Sequence, residues 1–306
     1  MSLERILGQY VTVLDEGFVS LQGVFGGDAD IEQFARVSYQ KGTRKTTDTR
    51  GLIRYLVAHD HGSPIEAVDF KFHVRLPISV MRQLIRHRLA SVNEASARYS
   101  EVVDRFYVPT MDQMGGQSKS NKQGRDSLIE YPASARELML NSMAHDFSDY
   151  QKLLDLGLAR ETARGVLPVN SYTEMYWKIN ARSLMNFLNL RCDSHAQWEI
   201  RQYANVFARM FELACPITYE AWYDYQFGAV TFSRMEMDVL SEAYGGVSPN
   251  KSDEYYRTRM DALGMTKREI EAFYGKLCKT DRETIPELDL NLFRTPEEQA
   301  SLDTDG

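Results

Sequence analysis

The sequence predicts a globular fold rich in helix with strands interspersed, and three observations carry that expectation. Residues 69–76 alternate apolar and polar side chains strictly. Residues 135–156 and 194–211 repeat their apolar positions at helical spacing, and no uncharged apolar run approaches the roughly 18 residues of a membrane span. With 43% hydrophobic and 26% charged residues over 306 positions, the chain can bury about three quarters of its unfolded surface. That excludes disorder throughout, collagen and a coiled coil.

In chain order, the N-terminal MSLERILGQY carries Glu4 and Arg5 inside its apolar stretch, so neither a signal peptide nor a membrane span is expected. In the 69–76 strand Phe70, Phe72, Val74 and Leu76 face one way, and Asp69, Lys71, His73 and Arg75 the other. Pro77 suits a first helical turn, and the spacing of Ile78, Met81, Leu84 and Ile85 carries that helix to about Arg88. Ala90–Arg98, polar and without period, predicts an ordered loop, and Arg105–Pro109 a further strand. Thr110–Pro132, with Gly115, Gly116 and Gly124, has loop composition. Residues 135–156 predict a long core-facing helix, with Leu138, Met139, Met143, Phe147, Tyr150, Leu153 and Leu154 inward and Gly157 as its stop. Asn180–Arg191 predicts another helix. Ser194 and Gln197 form an S-x-x-Q capping pattern that opens a third, with Ile200, Ala204, Phe207, Ala208 and Phe211 inward and Pro216 beyond its end. After Thr231 only modest helical segments follow, such as Lys267–Leu277.

Charge is concentrated locally. Residues 71–98 hold six bases (Lys71, Arg75, Arg82, Arg86, Arg88 and Arg98) against Glu94 alone, inside a chain of net charge -7. Residues 232–306 hold sixteen acids and ten bases. A basic cluster in an acidic chain suits a small anion such as a nucleotide phosphate better than a long polyanion, which acidic surroundings repel. The rival reading is a single-stranded nucleic-acid module with Tyr99, Phe106 and Tyr107 as stacking platforms, but a pI near 5.5 opposes it. No nucleic-acid partner is expected.

Neither a G-x-G-x-x-G turn nor a P-loop is present, so arginines have to hold any phosphate. The absence of H-E-x-x-H and G-x-S-x-G removes most hydrolase readings. His59 and His61 are the closest pair of histidines, and HDHGSP reads as a helix end turning into a loop; no metal site is expected. Cys192, Cys215 and Cys278 form an odd count without CxxC spacing, which favours a reducing cytoplasm over a disulfide framework.

Two segments remain. In RHRLASVNEASAR, Arg86–Arg98, guanidinium forks suit phosphate oxygens, Ser96 adds a hydroxyl, Asn93 an amide and Glu94 an acceptor. A salt-bridged helix end is the bland alternative, but one carboxylate is too little counter-charge. In NARSLMNFLNLRCDSHAQWEIRQYA, Asn180–Ala204, Arg182, Asn186 and Leu190 share a helical stripe, which could equally be a wet helix face.

Together, RHR followed by Ser96 resembles the signature of flavin-dependent thymidylate synthases, supported by FARVSY (Phe34–Tyr39), HGSPIEA (His61–Ala67), ARGVLP (Ala163–Pro168) and the NARSLMNFLNLR block. The likeness spans about Phe34–Tyr225. It implies an α+β fold, a mixed or antiparallel sheet with packed helices, in a homotetramer with sites between subunits. It also implies conversion of dUMP to dTMP with methylenetetrahydrofolate as carbon donor, NADPH as reductant and bound FAD. On this reading residues 1–231 form the catalytic domain and 232–306 an acidic extension. Position by position, the resemblance puts Ser63, Arg86, His87, Arg88, Glu94, Asn180, Arg182, Asn186 and His195 around FAD. It puts Gln83, Arg86, Glu94, Ser96, Ala97, Arg98 and Arg164 around dUMP, with Arg191 directed at the pyrimidine as the catalytic residue, where a fixed guanidinium stabilises charge pushed onto the ring. Cys192 then faces away, since successive helical residues point about 100° apart, and no protein nucleophile is needed. Two departures stand out: Ile65 and Ala67 replace the aromatic residue and the His or Met usual around this turn, and the 110–132 loop and the acidic tail are longer than expected.

Overall fold

The computed structural model describes residues 2–37, 48–119, 123–244, 253–265, 267–278 and 284–304. Ser38 and Tyr39 of the FARVSY motif lie outside them. The chain opens with α1 (Leu3–Ile6), the hairpin of β1 (Tyr10–Val13) and β2 (Gly17–Phe25), α2 (Asp28–Arg36) and α3 (Thr49–Ala58). The alternating segment is β3 (Asp69–Pro77), followed by α4 (Ile78–Leu84) and β4 (Ala90–Glu94). A small hairpin, β5 (Gly115–Gln117) with β6 (Arg125–Leu128), precedes α5 (Pro132–Asp155) and α6 (Arg160–Ala163). Then come β7 (Tyr172–Asn180), α7 (Ala181–Arg191), α8 (Trp198–Ala214) and α9 (Pro216–Trp222).

The central sheet has the order β4-β7-β3-β2-β1-β8, where β8 is Phe293–Arg294, and every pairing in it is antiparallel. The apolar face of β3 packs on α8. Ile200, Ala204, Phe207, Ala208 and Phe211 are all fully buried, and Phe72 meets Phe207 edge-on with centroids 4.7 Å apart. Strand periodicity and helix periodicity thus face each other across one core. At the start of α7 the Asn180 side chain accepts from the Ser183 N–H at 2.8 Å, a capping bond. Gly157, with φ +83°, closes α5 in the left-handed conformation that favours glycine.

Several sequence expectations are corrected. The helix after Pro77 ends at Leu84, not near Arg88, because Ile85 is already exposed and Arg86–Arg88 offer no apolar side chain to bury. Half of the expected loop Ala90–Arg98 is β4, in register with β7 from Ala90↔Ile179 to Glu94↔Met175. It is an edge strand whose side chains are mostly exposed, so no alternation marks it. Arg105–Pro109 contributes a single bridge, Phe106 to Ser171, instead of a strand. The 110–132 stretch holds a hairpin rather than loop alone. On α5 only Met143 and Tyr150 are buried, and Leu138 is 72% exposed, so within one chain that helix is not core-facing along its length. Ser194 is no cap: α8 starts at Trp198, and the Gln197 side chain is engaged by Gln83 and Glu199 instead of the helix N–H groups.

The chain divides into residues 1–222 with 285–306, and residues 223–284, rather than at 231. The last segment returns to the first unit because β8 pairs with β1 and Asp303, on α13 (Pro296–Thr304), bonds Arg75 at 2.6 Å. In the second unit α10 (Arg234–Tyr244), α11 (Asp253–Ala262) and α12 (Lys267–Cys278) share a small core of Val239, Met260, Met265, Ile270 and Phe273. No helix among the described residues is long and apolar enough to cross a membrane.

Candidate active site

The α7 helix carries site residues at both ends, and its rise of 1.5 Å per residue sets Arg182 and Arg191 about 13 Å apart along the axis. At its start, Arg182 pairs with Glu66 at 2.8 Å and lies against the HGSP turn. A Cβ on Gly62 would stand 2.2 Å from Arg182 Nε, so any larger residue there would push the guanidinium from its place over the turn. Ser63 is exposed at the head of a short 3-10 helix, Ser63–Ala67. Ile65 and Ala67 are buried, so the departures from family usage fall on packing contacts. Asn186 is exposed one turn beyond Arg182.

At the far end, Arg191 Nε donates to His87 Nε2 at 3.3 Å, and the imidazole meets Phe187 edge-on at 4.9 Å. Burial, and then the neighbouring guanidinium, pull the His87 pKa down to about 4. The ring is therefore neutral at pH 7 and keeps a lone pair for Arg191. Burial also lowers the Arg191 pKa, yet a guanidinium stays charged. Among the described residues no acid neutralises it. Gln83, at the end of α4, joins this corner by donating Nε2 to Gln197 Oε1 at 2.6 Å.

Arg86 and Arg88 are exposed between α4 and β4 and, like Arg164, have no acidic partner among the described residues. Glu94 does not neutralise them: its carboxylate accepts from Thr173 Oγ1 at 2.8 Å. A third group gathers Ser96, Ala97 and Arg98. The Arg98 N–H donates to Ser96 Oγ at 3.4 Å, and its guanidinium approaches Glu161 of α6 at 3.3 Å. A cavity of about 480 Å³ opens beside them, bordered by Arg98, Tyr99, Glu101, Leu158 and Arg160. His195 turns to Asp193 at 2.8 Å and contacts no other expected site residue.

Glu199 and the part played by Gln197 go beyond what the sequence motifs single out. The available signal was a charged residue on the buried stripe that Glu199 shares with Tyr203 and Val206. Among the described residues no cluster of three His, Cys, Asp or Glu side chains could hold a metal ion. The donor set, unmatched guanidiniums with a hydroxyl and amides, fits phosphorylated groups, which suits both a flavin dinucleotide and a nucleotide.

Comparison with known proteins gives a consistent answer. Residues 21–217 match the family described as thymidylate synthase complementing protein. The flavin-dependent thymidylate synthase of Gluconobacter oxydans is 42% identical over 273 residues, covering 88% of this chain and 87% of that protein. The one of Thermosipho melanesiensis is 46% identical over 225 residues, covering 74% and 98%. Among solved structures, the UMP/dUMP methylase PolB of Streptomyces cacaoi, bound with 5-Br dUMP, superposes with a TM-score of 0.64 at 35% identity, covering 71% of this chain and 99% of that one.

Proposed function

The chain belongs to the flavin-dependent thymidylate synthase family, and from that premise we propose that it methylates dUMP reductively to dTMP. Methylenetetrahydrofolate gives the carbon, NADPH the electrons, and FAD is the resident cofactor, in a cytoplasmic homotetramer whose sites lie between subunits. One observation carries the reading: Arg86, Arg88 and Arg164 present unmatched charge to solvent while Arg191 is aimed by a neutral histidine.

Arg86 and Arg88 would hold the flavin's phosphates, with Ser63, Asn180, Arg182 and Asn186 along the other end of α7, and Gln83, Ser96, Ala97, Arg98 and Arg164 would receive the nucleotide. When bound, the flavin supplies the reducing equivalents. His87 holds Arg191 Nε, which leaves the terminal nitrogens of that guanidinium to face the pyrimidine and stabilise negative charge as it develops there. Cys192 is 5% exposed and closes α7 with its N–H on Leu188 O, in keeping with a thiol that packs and does not attack. Because these side chains are open to solvent on one chain, a second subunit has room to complete the site.

The test is release of tritium from [5-³H]dUMP with formation of dTMP, each requiring both NADPH and methylenetetrahydrofolate. Yellow protein that releases no tritium under these conditions would refute the reading. Since PolB is described as acting on UMP as well as dUMP, the same assay with UMP decides whether a ribose hydroxyl is tolerated.

A further inference from the structure

The hydrogen bonds behind Gln83 run in one direction. Glu199 is 2% exposed in the first turn of α8, and its carboxylate oxygens serve different partners. Oε1 accepts from Arg125 Nη2 at 3.0 Å and from Tyr107 Oη at 3.2 Å, while Oε2 accepts from Gln197 Nε2 at 2.9 Å. A carboxylate facing an arginine only accepts. It obliges the Gln197 amide to turn its NH2 inward and its oxygen outward. That oxygen takes the Gln83 N–H at 2.6 Å, so Gln83 keeps its own oxygen and its second N–H for whatever lies beyond.

We propose that Glu199 is a positioning residue for the pyrimidine nucleotide: through Gln197 it sets which end of the Gln83 amide faces the ligand. The proposal rests on the reading of Gln83 as part of the dUMP site. Two amides in series have no preferred sense of their own, because each turns through 180° with little change of shape. The buried acceptor gives them one. Its cation comes from β6: Arg125 also donates to Gln113 Oε1 at 3.1 Å and lies over the Trp198 ring at 5.9 Å. The hairpin inside the 110–132 stretch thereby acquires a role, holding the carboxylate from behind while α8 presents it to the site.

The substitution Glu199→Gln reverses the relay with almost no change of volume. The new amide keeps its oxygen on Arg125 and Tyr107, which both donate, and its NH2 then meets Gln197. Gln197 turns, Gln83 turns after it, and the nucleotide meets an NH2 where the parent offers an oxygen.

The experiment is a double-mutant cycle on dUMP affinity, read by titration calorimetry on the flavin-loaded enzyme, with kcat and KM measured alongside. Glu199→Gln is expected to weaken dUMP binding and raise KM about tenfold, with kcat within about threefold of the parent and flavin content unchanged. In a Gln83→Met background the same substitution is expected to add less than about twofold. An equal loss in both backgrounds would show that Glu199 acts through packing and overturn the proposal, as would unchanged dUMP affinity in folded Glu199→Gln. If that variant does not fold, Gln197→Met cuts the relay at an exposed side chain, and its lack of coupling to Gln83→Met would overturn the proposal equally. A parent enzyme that binds no dUMP contradicts the substrate reading, and the nucleotide role of Glu199 falls with it. Binding in the parent with no dependence on Glu199 contradicts the relay alone.

Discussion

Arg75 and Arg86 come from the same basic stretch of sequence and meet different surroundings. Arg75 is 5% exposed, with Glu174 and Asp303 each at 2.6 Å, and neighbouring Arg105 shares Asp303 at 2.9 Å. Arg86 and Arg88 are exposed and, among the described residues, meet no acid. The partners of Arg75 lie 99 and 228 positions away in the chain. Local charge density is therefore a poor guide to which cations serve a ligand, since folding neutralises some of them with carboxylates that no sequence window contains. Arg98 and Arg182 stand between the two cases, each half-exposed and each on a single exposed carboxylate, Glu161 at 3.3 Å and Glu66 at 2.8 Å. The absence of a buried counter-ion is therefore the feature that the first variants below test.

The largest effect is expected at Arg191, the unmatched guanidinium proposed to face the pyrimidine. Arg191→Ala should lower kcat on the order of a hundredfold, about 3 kcal/mol of lost transition-state stabilisation, with a smaller change in dUMP affinity. A raised KM at unchanged kcat would make Arg191 a uniform binding residue. On the matched side, Arg75→Met should cost stability instead of chemistry. Breaking a fully buried pair costs about 3–5 kcal/mol, but Glu174 and Asp303 keep side-chain exposures of 34% and 37%, so roughly 2 kcal/mol is expected. Thermal unfolding should fall by several degrees while flavin per folded subunit stays constant; loss of flavin would erase the contrast.

Acid sharpens the same comparison. Burial pushes the Glu174 pKa up, but hydrogen bonds from His73 and Arg75 and the Arg75 charge outweigh it and hold the carboxyl at about 2. The unfolded chain takes up that proton near pH 4.5, so the stability from this group is complete above about 4.5 and disappears as pH falls toward 2. His87 has its folded pKa lowered to about 4 from 6.5, so its share is likewise present at neutral pH and is lost between about 6.5 and 4. Urea unfolding at stepped pH should show both windows, with the lower one diminished in Arg75→Met and the upper one removed in His87→Ala. The smallest change is expected for Cys192→Ala, near-parental dTMP formation with no covalent dUMP adduct in either protein. Collapse of turnover in that folded, flavin-loaded variant would reinstate a nucleophile.

Much of this was legible in the chain itself. The strict alternation of Phe70, Phe72 and Val74 marks a strand, and the inward stripe of α8 is visible residue by residue, because both elements bury one face and periodicity records burial. The β4 strand was not legible, since an exposed edge strand owes its existence to hydrogen bonds with β7 and not to its side chains. The return of β8 and α13 to the first unit is hidden for a similar reason: two-residue β8, the Asp303 ion pairs and the bonds of Arg209 to the Ile285 and Pro286 carbonyls join partners far apart in the chain. At the candidate site the residue types are visible in the sequence, but Arg191 beside His87, Gln83 joined to Gln197, and the buried Glu199 are arrangements that only the fold creates.

Arg86 and Arg88 meet no acid among the described residues, and the proposed reason is that an anionic cofactor is their partner. The direct measurement is bound flavin in Arg86→Ala/Arg88→Ala, read by absorbance near 450 nm per folded subunit, beside circular dichroism and thermal unfolding. The account predicts colourless protein with parental secondary structure and little change in the unfolding temperature of the apo form. A folded double variant that keeps one flavin per subunit would contradict it.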